Sequence, residues 1–122
     1  MFNLSKFINS FKFAFEGISY SVKNNQNIKI HIIIAIIVLA VGFLVGLTRY
    51  EIFGVAVLIV LVISAEMINS SIEEVVDLLV NEHREEAKIA KDVSAGMVLL
   101  IALFALVVGI FIFLPHVLSL FG

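Results

Sequence analysis

Three long stretches with few or no charged side chains constrain the fold of this 122-residue chain more than any other feature. Residues 30–47 and 93–114 contain no Asp, Glu, Lys or Arg, and residues 52–80 begin with a run that stays uncharged as far as Ala65. A helix rises about 1.5 Å per residue, so about 20 apolar residues cross the hydrocarbon core of a bilayer. The sequence therefore predicts an all-α membrane protein with three transmembrane helices over these ranges.

The ends of the spans follow from the residues around them. We expect the third span to end at Leu114, because Pro115, the only proline, cannot continue a helix. The second span is longer than a bilayer requires: as one helix it measures roughly 43 Å, so one end should project from the hydrocarbon. Residues 81–92 are predicted to form a polar loop between the second and third spans. We expect the whole chain, residues 1–122, to form a single domain.

Composition excludes several classes of protein. Hydrophobic residues make up 61% of the chain, and the charged residues are 10 acids and 8 bases. A soluble domain has about half apolar residues and about a quarter charged ones, so a water-soluble fold is disfavoured. The formal charge of −2 and the absence of a dense basic run argue against nucleic-acid binding. The lack of cysteine excludes disulfides, thiolate metal sites and a cysteine nucleophile.

The basic residues predict the orientation in the membrane. All but Arg49 lie before the first span or between the second and third: Lys6, Lys12, Lys23, Lys29, Arg84, Lys88 and Lys91. Positive charge is enriched in cytoplasmic loops. We therefore predict a multi-pass protein of the cell membrane whose N-terminus and 81–92 loop lie in the cytoplasm. The 48–51 turn and the 115–122 tail would lie outside.

Residues 1–29 have a different pattern. Apolar side chains recur at helical spacing at Phe7, Phe11, Phe15, Ile18 and Val22, and a polar stripe follows Lys12, Glu16, Ser19 and Lys23. This pattern predicts an amphipathic helix in the membrane interface, followed by a polar bend at Asn24, Asn25 and Asn27. The helix could be an anchor alone or could gather substrate, and the sequence leaves both roles open.

The second span carries polar side chains that are costly in a membrane. At 100° per residue, Glu66, Asn69, Glu73 and Asp77 fall within an arc of about 80° on one helix face, which we call the acidic stripe. Glu66 lies about 16 Å deeper in the membrane than Asp77. An acid at membrane depth costs on the order of 2.5–3.5 kcal/mol. A structural clamp between helices is one interpretation. The number of groups favours a site in which a carboxylate acts as general base and oxygen ligands hold a divalent cation near phosphate.

The 81–92 loop supplies complementary charge. Its polar run includes Asn81, Glu82, His83, Arg84, Glu85, Glu86 and Lys88. A solvated loop would look similar, and we favour that interpretation for Glu85 and Glu86. Lys91 and Asp92 differ, because they adjoin an apolar span and can face the acidic stripe. A lysine there could stabilise phosphate charge during transfer.

These residues together resemble a known family. The pattern Glu66-x-x-Asn69-x-x-x-Glu73-x-x-x-Asp77, followed by Ala90-Lys91-Asp92, is similar to the small integral-membrane prokaryotic diacylglycerol kinases, which include undecaprenol kinases. The resemblance extends over nearly the whole chain. It implies an ATP- and Mg²⁺-dependent lipid kinase that phosphorylates undecaprenol or diacylglycerol. It also implies a homotrimer with sites shared between neighbouring subunits.

The resemblance also implies roles for particular residues. Glu66 would be the catalytic base for the lipid hydroxyl, with Asn69, Lys91 and Asp92 as further catalytic residues, and Ala95 would contact the lipid. The nucleotide and its cation would be bound by Lys6, Phe13, Asn25, Glu73, Asp77, Glu82, His83, Arg84, Lys91 and Asp92. Of these, Glu73 and Asn25 would be the magnesium ligands.

Asn25 departs from the family pattern. The family usually has a glutamate as the second metal ligand at this position, in a Glu-x-Asn-x-basic-x-His context. An amide oxygen can coordinate Mg²⁺ without charge, so metal affinity should be weaker. The remaining Asn27-x-Lys29-x-His31 resembles the undecaprenol kinases of Gram-positive bacteria and favours undecaprenol as substrate.

Two other functions remain as alternatives. The chain could be a catalytically impaired or non-enzymatic membrane subunit whose acidic stripe serves assembly or ion binding, with Asn25 marking lost catalysis. It could also be an ion channel, which is disfavoured because the acids crowd toward one side and the first and third spans offer no polar path. Three helices can hardly enclose a polar face alone, so each interpretation predicts an oligomer.

Overall fold

The computed structural model describes residues 1–122 and consists of four α-helices. These are α1 (Leu4–Asn24), α2 (Gln26–Val45), α3 (Arg49–Leu79) and α4 (Glu85–Ser119). Helices α2, α3 and α4 are each long and apolar enough to cross a membrane. The predictions of an all-helical chain and of three candidate spans are thereby confirmed.

Helix α3 lies at the centre of the bundle. Near one end of the α3–α4 contact Lys91 pairs with Asp77, and at the other end His116 bonds Glu51, so the two helices run antiparallel. Helix α2 is also antiparallel to α3 and packs mainly on it, whereas α2 and α4 touch each other little. An open groove therefore lies between α2 and α4, with α3 as its floor.

The turn between α2 and α3 is built from glycine and capping chemistry. Gly46 ends α2 with φ of +83°, a left-handed conformation that glycine adopts without a Cβ penalty. Thr48 then caps α3: its side chain accepts a hydrogen bond from the Glu51 backbone N–H at 3.2 Å. The Glu51 carboxylate accepts the Thr48 N–H at 2.7 Å. This reciprocal pair is a capping box, which fixes where the long central helix begins.

Thr48→Ala should destabilise the fold, because the first turn of α3 loses the side-chain oxygen that accepts the Glu51 N–H. The expected cost is about 1 kcal/mol of unfolding free energy. Thr48→Ser keeps the hydroxyl and is the control. Equilibrium unfolding in mixed micelles, followed by circular dichroism, measures the difference. Equal stability of the two variants would show that the cap contributes nothing.

Helix α4 is longer at both ends than the predicted third span. It begins at Glu85, so the connection between α3 and α4 is shorter than the predicted 81–92 loop. Helix formation is favoured here because Glu85 and Glu86 suit the positive end of a helix dipole. Lys88 also pairs with Asp92 one turn later within α4. It also continues through Pro115 to Ser119, so the expectation that Pro115 ends the helix is wrong, whereas the membrane bounds of the third span stay a prediction. Beyond the proline, His116 Nε2 lies 2.9 Å from Glu51 Oε2, which ties the extension to α3.

The N-terminal segment is also helical. None of the residues of α1 is buried, and its side chains reach the rest of the chain through Tyr20, whose hydroxyl donates to Glu74 Oε1 at 3.4 Å. Only Asn25 separates α1 from α2, so the predicted polar bend is a single residue and α2 begins at Gln26 rather than at residue 30. The placement of α1 in a membrane interface stays a prediction.

Candidate active site

The site is organised around one buried acid. The Glu66 side chain lies on α3 facing the start of α2, and the residue is only 3% exposed. The Asn27 amide Nδ2 donates to Glu66 Oε1 at 3.0 Å. A buried carboxylate is costly unless hydrogen bonds compensate the lost solvation. Asn27 supplies such a bond and fixes the direction of the carboxylate.

Asn25 joins the bend to the same turn of α3. Its Oδ1 accepts from the backbone N–H groups of Asn27 at 2.8 Å and Ile28 at 3.2 Å, which caps α2. Its Nδ2 donates to Ser70 Oγ, and the Ser70 hydroxyl donates to the Glu66 carbonyl at 3.0 Å. An amide oxygen has two acceptor positions, and both are used here. In this structure Asn25 is therefore a helix cap that fastens α2 to α3.

Toward the C-terminal end of α3 from Glu66, the acidic stripe continues with a carboxamide and a second acid. Asn69 is 6% exposed, and its Nδ2 lies 3.4 Å from Oε1 of the exposed Glu73. The Asn69 Oδ1 atom is buried without a hydrogen-bond partner, and the same is true of Ser94 Oγ on α4. An unpaired buried polar atom costs about 1–3 kcal/mol. Each of these two oxygen atoms is one that the chain's own groups do not use.

Beyond Glu73, three ion pairs surround a polar pocket. Lys91 Nζ lies 2.5 Å from Asp77 Oδ1, Lys88 pairs with Asp92 at 2.6 Å, and Arg84 pairs with Glu82 at 3.0 Å. The pocket has a volume of 270 Å³ and is lined by these six side chains together with His83 and three small apolar residues. The opening thus holds three cationic and three acidic side chains, so an anionic ligand would have to displace carboxylates from the cationic groups.

On the opposite side of Glu66 lies the groove between α2 and α4. It has a volume of 510 Å³, and 15 of its 17 lining residues are hydrophobic. Its wall on α3 runs from Val55 to Ile63, and Glu66 follows Ile63 at i+3 on the same side of the helix. His31 lines the groove from α2. The acidic stripe therefore runs from near the apolar groove at one end to a pocket of paired charges at the other.

The structure brings most of the predicted site residues to this line. Glu66, Asn69, Glu73 and Asp77 follow one another on α3, and the pocket collects Glu82, His83, Arg84, Lys91 and Asp92. Lys6 and Phe13 do not join them: both are exposed on α1 and line neither cavity. Ala95 is exposed on α4 and also lies outside both cavities.

Sequence reasoning missed two polar residues. The sequence places Asn27 in the polar bend and in the Asn27-x-Lys29-x-His31 pattern but gives it no role in the site, although it bonds the buried Glu66. The closeness of Asn27 to Asn25 in the bend was a signal that it lies near the site. Its pairing with Glu66, 39 positions later in the chain, depends on how α2 packs against α3. Ser94 had no signal beyond its place two residues after Asp92, and only the structure shows that its hydroxyl is buried.

Comparison with known proteins places these residues in context. Residues 12–113 match the sequence model of a family described as prokaryotic diacylglycerol kinase. The undecaprenol kinase of Bacillus subtilis (strain 168) is 38% identical over 112 residues, which cover 92% of this chain and 91% of the relative. A diacylglycerol kinase of Synechocystis sp. (strain ATCC 27184 / PCC 6803 / Kazusa) is 39% identical over 112 residues, covering 91% of this chain but 64% of the relative. One of Haemophilus influenzae (strain ATCC 51907 / DSM 11121 / KW20 / Rd) is 32% identical over 95 residues, 78% of this chain and 80% of the relative.

Proposed function

The chain belongs to the prokaryotic diacylglycerol kinase family and is a lipid kinase, and we propose that it transfers the γ-phosphoryl group of ATP to the hydroxyl of undecaprenol in a Mg²⁺-dependent reaction. Undecaprenol is favoured because the similar undecaprenol kinase matches over almost its full length. Diacylglycerol is the second candidate acceptor, since two relatives named diacylglycerol kinase are 39% and 32% identical in sequence to this chain.

The observation that carries the proposal is the order of polar groups along α3. Glu66 lies one turn beyond Ile63, the last residue of α3 that lines the apolar groove, and Asp77 lines the pocket of paired charges. Helical rise separates these two residues by about 16 Å, with Asn69 and Glu73 between them on the same face. A lipid acceptor entering from one side and a nucleotide from the other would meet along this line.

At the acceptor end, Glu66 is proposed to act as the general base. Its carboxylate would take the proton of the lipid hydroxyl while the hydroxyl oxygen attacks the γ-phosphorus and the bond from that phosphorus to the bridging oxygen of ADP breaks. The groove would hold the apolar chain beside Glu66, and the Asn27 amide at 3.0 Å would keep the carboxylate oriented. A fixed reactive geometry of this kind contributes directly to rate.

At the donor end, the ammonium and guanidinium groups would bind the phosphates. Lys91 is the basic residue nearest the acidic stripe, because it already bonds Asp77. We propose that it offsets the charge that develops on the transferred group. Lys88, Asp92, Arg84, Glu82 and His83 would complete the nucleotide side.

The residues between these ends fit a magnesium site. Glu73 has an exposed carboxylate and Asn69 has a buried, unpartnered oxygen, and oxygen atoms of these two kinds are the ligands Mg²⁺ prefers. Glu73 and Asn69 would hold the cation in this proposal. When bound, Mg²⁺ would supply positive charge that offsets the negative charge of the nucleotide phosphates.

The assembly and topology are part of the same proposal. A homotrimer in the cell membrane, with the nucleotide pocket on the cytoplasmic side, would cover part of the large apolar surface that a chain with only eight buried residues leaves exposed. Lys6 and Phe13 lie away from the site of their own chain, and a neighbouring subunit could present them to it.

The direct test is a substrate panel. Purified protein in mixed micelles would receive labelled ATP, Mg²⁺ and, side by side, undecaprenol, diacylglycerol or ceramide. We expect undecaprenol to be phosphorylated with a kcat/KM at least about tenfold above the others. A preference for diacylglycerol would change the proposed acceptor. No lipid-dependent turnover on any substrate would favour the alternative of a catalytically impaired assembly subunit.

A further inference from the structure

One position in the wall of the apolar groove has no side chain. Gly109 is the only glycine that lines the groove, and a Cβ atom placed on it would meet no other part of the chain within 4 Å. Two other glycines are more closely packed: a Cβ on Gly42 would approach Leu47 Cδ1 to 2.9 Å, and one on Gly54 would lie 3.9 Å from Ile112 Cδ1. The missing side chain at Gly109 therefore leaves open space in the groove.

The register of the helices places Gly109 near the middle of the groove. His116 contacts Glu51, and α4 is antiparallel to α3. Gly109 comes seven residues before His116, so it is level with Leu58, which comes seven residues after Glu51. The groove wall on α3 lies within residues 55–63, and Leu58 belongs to it.

Helix α2 also carries a small side chain at this level. Asn27 bonds Glu66, and α2 is antiparallel to α3. Eight residues away from that bond along each helix, Ala35 is level with Leu58, and Ala35 lines the groove as well. Since α2 and α4 are the two walls of the groove, the space between Ala35 and Gly109 is a widening, about 12 Å from Glu66 along α3.

Branched and unbranched lipid chains would fill this widening differently. A polyprenyl chain carries a methyl group on every isoprene unit, whereas the acyl chains of a typical diacylglycerol are unbranched. Space left empty beside an unbranched chain forfeits the dispersion contacts that a methyl branch would make with the walls. A single methylene group in a hydrophobic pocket changes discrimination by about 10–200-fold. The shape of the groove thus favours a branched chain.

We propose that Gly109, opposite Ala35, determines the acceptor preference of this chain by admitting the methyl branches of a polyprenyl chain whose hydroxyl lies at Glu66. The groove ends one turn from Glu66, so the chain of the acceptor itself is the occupant that its position favours. This role of Gly109 rests on the proposed kinase function and adds to it a determinant of substrate class. Gly109 affects the binding of the lipid and takes no part in the transfer step.

The absence of tryptophan from the sequence allows lipid binding to be measured without turnover. Phe113→Trp places a single fluorophore in the groove, and a diacylglycerol brominated midway along its acyl chains would quench it in detergent micelles. Unlabelled undecaprenol or dioleoylglycerol then competes with the brominated lipid, and the recovery of fluorescence gives the relative affinity of each. The purified full-length chain is used without nucleotide.

In this background Gly109→Leu should fill the widening. We expect the affinity for undecaprenol to fall at least about tenfold, and the affinity for dioleoylglycerol to change by less than about threefold. Gly109→Ala adds one methyl group and should give an intermediate loss for undecaprenol. Gly96→Leu is the matched control, because Gly96 lies on α4 with open space at its Cβ position and lines neither the groove nor the pocket. It should change neither affinity.

Three results would overturn this role of Gly109: equal weakening of both lipids by Gly109→Leu, weakening of neither, or failure of undecaprenol to displace the brominated lipid from the Phe113→Trp chain. Equal weakening together with a smaller oligomer in sedimentation would assign the widening to a second copy of the chain. Circular dichroism checks the helix content, and Gly109→Ala, which favours a helix, remains informative where leucine disturbs folding. Selective weakening without any lipid phosphorylation would reject the kinase proposal and leave the role of Gly109 standing.

Discussion

We expect Glu66→Gln to abolish lipid phosphorylation, lowering kcat by about 10²–10⁴-fold, the usual contribution of a general base. A carboxamide cannot take the proton of the lipid hydroxyl. It has nearly the shape of the carboxylate, and its oxygen can still accept the Asn27 amide that now bonds Glu66 Oε1. The nucleotide pocket lies about 16 Å away along α3, so ATP binding should persist. Initial rates of labelled phosphate transfer, and binding of a fluorescent ATP analogue, measure the two effects separately.

Glu74→Gln is the matched control for this variant. Glu74 is an exposed acid on the same helix, it bonds Tyr20 of α1, and it lines neither the groove nor the pocket. Its substitution should leave the rate of transfer close to that of the unmodified chain. A Glu66→Gln variant that phosphorylates lipid at a similar rate would remove Glu66 from the role of base.

Helical periodicity was enough to place the acidic stripe. Residues 66, 69, 73 and 77 share a face in any regular helix, because the spacing and the rise are fixed by backbone geometry. The three spans could be predicted equally well, because long uninterrupted apolar runs are typical of membrane-spanning helices. The acidic stripe and the spans depend on helix geometry and on the surrounding solvent, so both can be predicted from the sequence without knowledge of the tertiary contacts.

The remaining parts depend on contacts between distant residues. A proline disfavours the continuation of a helix, but α4 continues past Pro115, and His116 beyond it contacts Glu51 on another helix. The resemblance implies a metal-binding role for Asn25, which stays a prediction, whereas only the structure shows that its oxygen accepts two backbone N–H groups of α2. Which of several asparagines in a polar bend bonds Glu66 depends on how α2 packs on α3, and no periodicity encodes that choice.

Asn27→Leu should lower kcat by about 10–100-fold and leave the KM for ATP nearly unchanged. The substitution keeps the number and branching of the side-chain heavy atoms but removes the amide that donates to Glu66 Oε1 at 3.0 Å. The buried carboxylate is then free to turn away from the end of the groove, and small displacements of a reacting group cost up to about 10²-fold in rate. Steady-state kinetics with the lipid acceptor and ATP varied in turn measure both constants.

Asn24→Leu is the control, since it is the same change three residues earlier, at the end of α1. Asn24 bonds the Tyr20 carbonyl within α1 at 2.9 Å and makes no hydrogen bond to Glu66, so kcat should change little. Asn27→Asp tests the donor more strictly, because it keeps the shape and places a second carboxylate against the first. It should lower kcat at least as far as leucine does. Equal losses at Asn24 and Asn27, or a rise in the KM for ATP at constant kcat, would assign Asn27 to the stability of the bend and leave the orientation of Glu66 to other groups.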